Sequence, residues 1–262
     1  AHKAVQLPTL AARSNLEPAA DDSHSNLGWD AASKRFLSQP MPLSDGAMLI
    51  GLSLSPLRLD VVQGDETRAK LDMEGQTAED ALQWLDRQLR ESGLNPASKV
   101  RLPYELPEAV AKTDRFLPQT VSVQLSTLAA WFDLANTVLS DFARNYTDLK
   151  PGPSPVRCWP HHFDIATYVQ LETGSTETAR GIGLGMSPGD ESYGQPYFYV
   201  NPWPHLDPAN LPDPPHPGHW HTEGYVGAVP TAAQILALDD LLGALLNFVA
   251  SSFAIGRAGL EA

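Results

Sequence analysis

The sequence predicts an α+β protein: a largely antiparallel sheet with three main helices in one compact domain. Three observations lead there. Candidate strands and helices come in blocks rather than in strict alternation. Two helix starts carry capping-box patterns, Thr77 with Asp80 and Thr231 with Gln234. Residues 162–172 alternate with a period of two, placing His162, Asp164, Ala166, Tyr168 and Gln170 on one face and Phe163, Ile165, Thr167, Val169 and Leu171 on the other.

Residues 1–28 are polar and aperiodic, and are expected to form a loose N-terminal arm ahead of a domain over 29–262. Strands are expected at 47–54, 57–62 and 67–73, with turns at Ser55-Pro56 and Gly64-Asp65. A helix follows Thr77, with Leu82, Leu85 and Leu89 at helical spacing and Gly93 as its stop. The Pro-punctuated stretch 95–121 reads as surface. A second helix covers Gln124 to Tyr146, with Leu128, Trp131, Phe132, Ala135, Leu139, Phe142 and Tyr146 as its stripe. Residues 151–230 are rich in proline and aromatics, with strands expected at 162–172, 180–187, 196–201 and 218–226. The last helix begins at Thr231 and carries Ile235, Leu238, Leu242, Leu245 and Val249.

The chain has 262 residues and a net charge of −13. That charge argues against nucleic acid, whose binding needs a basic face, and against an anionic membrane surface. One cysteine, Cys158, excludes an internal disulfide and suits a reducing, cytoplasmic setting. No signal-peptide pattern opens the sequence. The apolar stretch 241–255 is interrupted by Asn247, Ser251 and Ser252 and falls short of the ~20 residues of a membrane span, so a buried helix is expected.

Chemistry concentrates in the run His219-Trp220-His221-Thr222-Glu223. In an extended strand His219 and His221 share a face ~6.6 Å apart and can converge on one ion. Glu223 would lie ~13 Å from His219, out of reach of that ion unless Gly224 bends the chain. The upstream string His161-His162-Phe163-Asp164 offers a third ligand, and the alternation selects His162. The expected function is therefore a metal-dependent enzyme acting on a small molecule, with Zn or Fe held by His162, His219 and His221. Asp164 and Glu223 would do catalytic work, and Trp159, Tyr197, Tyr199 and Trp220 would contact substrate.

Two other readings use the same residues. One is a metal-free small-molecule or carbohydrate-binding, glycoside-active protein, with Asp164, Asp190 and Glu223 as working carboxylates beside the aromatics Tyr193, Trp203 and Tyr225. The other is a structural domain with no ligand site. Gly181-Ile-Gly-Leu-Gly185 lacks the helix of a dinucleotide loop and reads as a strand with room on one face. Ser187-Pro-Gly-Asp-Glu-Ser192 reads as a turn, and Cys158 as a buried inert thiol.

The block Ser154-Pro-Val-Arg-Cys-Trp-Pro-His-His-Phe-Asp-Ile-Ala166 resembles the hallmark of a bacterial family of uncharacterised proteins. Ser187-Pro-Gly-Asp190 and Pro196-Tyr-Phe-Tyr-Val-Asn-Pro-Trp-Pro204 are similar to further blocks of that family. The resemblance covers about residues 45–205. The chain departs from the usual family pattern at His161, His162 and the 219–223 string. The resemblance implies one compact bacterial domain and no particular reaction.

Overall fold

The computed structural model describes residues 1–112, 114–174 and 178–261. Its elements run α1 (Gln6–Asn15), β1 (Gly28–Asp30), β2 (Arg35–Leu37), β3 (Met41–Leu43), β4 (Gly46–Leu54), β5 (Leu57–Gln63), β6 (Glu66–Asp72), α2 (Ala78–Glu91), α3 (Glu108–Ala111) and α4 (Ser122–Asn145). They continue β7 (Gly152–Pro153), β8 (Arg157–Trp159), β9 (Asp164–Gln170), β10 (Gly181–Ser187), β11 (Tyr197–Trp203), β12 (His219–His221), β13 (Gly227–Val229), α5 (Ala232–Leu236) and α6 (Leu241–Glu261). The class is α+β with antiparallel pairing, distributed over two sheets. The chain falls into two compact units, Ala1–Asp133 with Cys158–Phe163, and Leu134–Arg157 with Asp164–Ala262.

The first unit holds a sheet in the order β1-β2-β4-β5-β6, with β3 added on β4. Alternation puts Phe36, Ile50, Leu52, Leu59 and Val61 on one buried face. The other face holds a buried charge, Asp60, satisfied by Arg58 Nε at 2.6 Å and Ser53 Oγ at 3.1 Å. Trp29, Phe36, Phe132 and Phe163 form an aromatic cluster. The helix expected after Thr77 is α2, with the Thr77–Asp80 capping box in place.

Two expectations change here. Residues 1–28 are not a loose arm: α1 buries Leu7, Ala11 and Ala12, and Gln6 Nε2 donates to Pro160 O at 2.7 Å. Its polar sequence hid a helix because the buried positions are mostly small. The strand expected from residue 162 starts only at Asp164, because Phe163 adopts a left-handed backbone (φ 61°) and closes a turn onto Trp159 O. Packing of the Phe163 ring in the aromatic cluster holds this unfavourable conformation.

The second unit holds a sheet in the order β12-β13-β11-β10-β9-β7. One face is apolar, with Ile165, Val169, Ile182, Leu184, Met186, Phe198 and Val200 buried. Against it pack Leu245, Phe248, Val249 and Phe253 of α6. Gly256 lets α6 approach, since a Cβ there would lie 2.8 Å from Pro202. By length and composition α6 could cross a membrane; it runs to Glu261, past the expected stretch 241–255. The final helix is also not continuous. Asp240 Oδ1 accepts from Gly243 N at 2.9 Å and starts α6 afresh after α5.

Candidate functional site

The opposite face of the second sheet is polar. In β9 it carries Asp164 and Tyr168, in β10 the glycines Gly181, Gly183 and Gly185, and in β11 Tyr197, Tyr199 and Asn201. Register extends the face to β12. Val200 pairs with Ala228 and Ala228 with Trp220, so these three share the apolar side. His219 and His221 consequently share the polar side. Trp220 points away from it, with Nε1 donating to Pro212 O at 2.7 Å.

The three glycines do not leave empty room for a ligand. The phenol of Tyr168 lies over Gly181, the amide of Asn201 over Gly183 and the phenol of Tyr199 over Gly185. Each glycine is small so that a polar side chain from a neighbouring strand can cross β10. Across Gly185 the Tyr199 hydroxyl donates to Asp164 Oδ2. Beside it the Tyr197 hydroxyl donates to Asp190 Oδ2 at 2.5 Å.

Asp190 also builds the turn that carries Tyr193, its Oδ1 accepting from Ser192 N at 2.9 Å and Tyr193 N at 3.1 Å. The Tyr193 hydroxyl then sits 2.9 Å from His219 Nε2 and 3.0 Å from His221 Nδ1. The two imidazoles thus converge, and a phenol oxygen stands where they meet. The other nitrogen of His221, Nε2, is 2.6 Å from the backbone carbonyl of Glu223.

Proton positions follow from this chain of contacts. A carbonyl only accepts, so His221 Nε2 carries a proton, and in the neutral form of the ring Nδ1 presents a lone pair. Tyr193 therefore donates to His221 Nδ1. Its oxygen is left to accept from His219 Nε2–H. The bonds run one way, from His219 through Tyr193 and His221 to Glu223 O. The Tyr225 ring stacks on His221 with centroids 4.2 Å apart and holds it flat.

The phenols of this face stay protonated at neutral pH. Burial raises Tyr199 well above the usual phenol range, with the Asp164 charge adding to it. Burial also raises Tyr197, helped by its bond to Asp190, and pushes Tyr225 up to about 12. Tyr193 rises through burial and the charges of Asp190 and Glu223. All four are phenols rather than phenolates.

The remaining expected site residues fall as follows. The Glu223 side chain is exposed, beyond the end of β12 in a bend where Gly224 has φ 82°. That bend also cuts the expected strand 218–226 back to β12; β13 begins only after it, at Gly227. His162 lies exposed in the turn before β9, in the first unit. The period-two argument that selected it fails at Phe163. The His162 ring is 4.2 Å from that of His161, and Trp159 meets His161 edge-on in the same unit. Burial, with the neighbouring His162, pushes His161 down to about 4. Among the described residues, no group of three or more His, Cys, Asp or Glu side chains is placed to hold a metal ion.

Tyr193, expected only as one of the aromatics beside the carboxylates, has partners that no local pattern names. The signal was the Asp190 turn: an aspartate two and three residues ahead of amides it can bind fixes where Tyr193 begins. Its meeting with β12, 26 residues on, is a tertiary contact made from the turn between β10 and β11. Compared with protein-family models, curated proteins and solved structures, the chain matches none of them.

Proposed function

We propose that this chain is a metal-dependent enzyme acting on a small polar molecule at the polar face of the second sheet, with His219 and His221 as ligands to Zn or Fe. The carrying observation is the convergence of both imidazoles on one point, the Tyr193 oxygen at 2.9 and 3.0 Å. His221 has the orientation of a ligand, its remote N–H spent on a backbone carbonyl. A bound ion would polarise substrate or activate water. Asp164 and Tyr199 form a hydrogen-bonded carboxylate–phenol pair on the same face, suited to holding a substrate hydroxyl. Elemental analysis of untagged protein grown with Zn and Fe tests the reading. Stoichiometric metal that His221→Ala loses supports it; metal-free wild type refutes it.

The metal-free reading is favoured by one observation, the one-way hydrogen-bond chain His219–Tyr193–His221–Glu223 O. Such a chain can pass a proton from one imidazole to the other through the phenol without an ion, the Glu223 carbonyl only orienting His221. In that case a ligand shifts the melting temperature of metal-free wild type, and His219→Gln abolishes turnover while leaving the fold intact.

A further inference from the structure

We propose that Tyr193 is itself a metal ligand, completing a two-histidine, one-phenolate site with His219 and His221. This rests on the metal reading above and names its third donor. Other candidates are committed elsewhere. Asp190 Oδ2 accepts from Tyr197, and its Oδ1 binds two backbone amides. The Glu223 side chain is exposed past the end of the strand. The Tyr193 phenol oxygen lies between the two imidazole nitrogens.

The spacing suits coordination. Two donors with bonds of ~2.1 Å, cis on one ion, lie ~3.0 Å apart. Tyr193 Oη is 2.9 Å from His219 Nε2 and 3.0 Å from His221 Nδ1. His221 already presents its Nδ1 lone pair; His219 needs only the tautomer with its proton on Nδ1. On binding, the phenol proton leaves to solvent. The anionic oxygen beside two imidazoles makes a hard, open-faced set of donors, which selects iron, and ferric over ferrous iron. Tyr193 rides on the Asp190 turn, bounded by Gly189 (φ 122°) and the exposed Gly194, so small adjustments of the phenol are accessible.

The experiment is ferrous iron added without oxygen, followed by air, which takes one electron from each iron. Wild type is expected to bind one iron per chain and develop a visible phenolate-to-iron charge-transfer band. Resonance Raman excitation in that band should enhance tyrosinate ring modes. Tyr193→Phe should lose the band and bind iron at least tenfold more weakly. If wild type binds one iron that His221→Ala loses, yet shows no phenolate band, the role of Tyr193 is wrong and the histidine site stands. If wild type binds no iron and no zinc, both fail. The Raman measurement needs only wild type, so the result does not depend on the variant folding.

Discussion

Tyr199 reaches Asp164 by crossing Gly185. The glycine pairs with Tyr199 on one side and with Ala166 on the other, so Asp164 lies diagonally beyond it. The bond exists because β10 has no side chain there. A Cβ at position 185 would lie 2.4 Å from Cζ and Oη of Tyr199 and 2.8 Å from the Ile165 carbonyl oxygen. Gly185→Ala is therefore expected to destabilise the fold by about 1–3 kcal/mol, read from the denaturation midpoint. In a Tyr199→Ala background the same change should cost at least about 1 kcal/mol less. Strict additivity of the two changes would refute the crossing as the cause.

Metal should also register as stability. A ligand that binds only the folded chain raises its melting temperature with concentration. Zn or Fe is expected to raise the melting temperature of wild type, and a chelator to reverse it. Scanning calorimetry of His219→Ala and His221→Ala should show no such rise. An equal rise in the variants would place the ion elsewhere.

Acid should destabilise the first unit through His161. Its folded value near 4 lies below the ordinary 6.5, so between these values the unfolded chain binds a proton that the folded one refuses. The contribution is absent above pH about 6.5, grows as pH falls, and is complete near pH 4. Burial depresses His2 in the same direction. Urea titrations from pH 8 to 4 should show His161→Gln with a shallower loss than wild type. An unchanged slope would remove His161 as a source.

The seat of α6 predicts a larger effect. Phe253 is 1% exposed, with its ring 5.1 Å from Phe142 and 4.8 Å from Tyr146. Phe253→Ala is expected to cost about 3–5 kcal/mol. Circular dichroism during chemical denaturation measures it; a loss under about 1 kcal/mol would show that this helix is not held by its apolar face.

Much of the architecture was legible in the sequence because it is written in local patterns. The three-residue reciprocity of Thr77 and Asp80 started α2, and the turn residues at 55–56 and 64–65 set the β4–β5–β6 meander. The alternation of His219 and His221 put both imidazoles on one face of β12. Local pattern failed where a distant contact outweighed it. α1 is held by burial of small residues and by Pro160, 154 positions away from Gln6. Phe163 breaks the alternation because its ring fills an aromatic cluster, and that cost His162 its inferred direction.

The sequence by itself determined the α+β class, the antiparallel pairing and the shared face of His219 and His221, because each follows from spacing of neighbours along the chain. Only the tertiary structure decided what those imidazoles meet. Tyr193 stands between them and Tyr199 crosses Gly185 to Asp164, because the Asp190 turn and the strand register place side chains together whatever their distance in sequence. No local period carries that information; it arises when β9, β10, β11 and β12 find their partners.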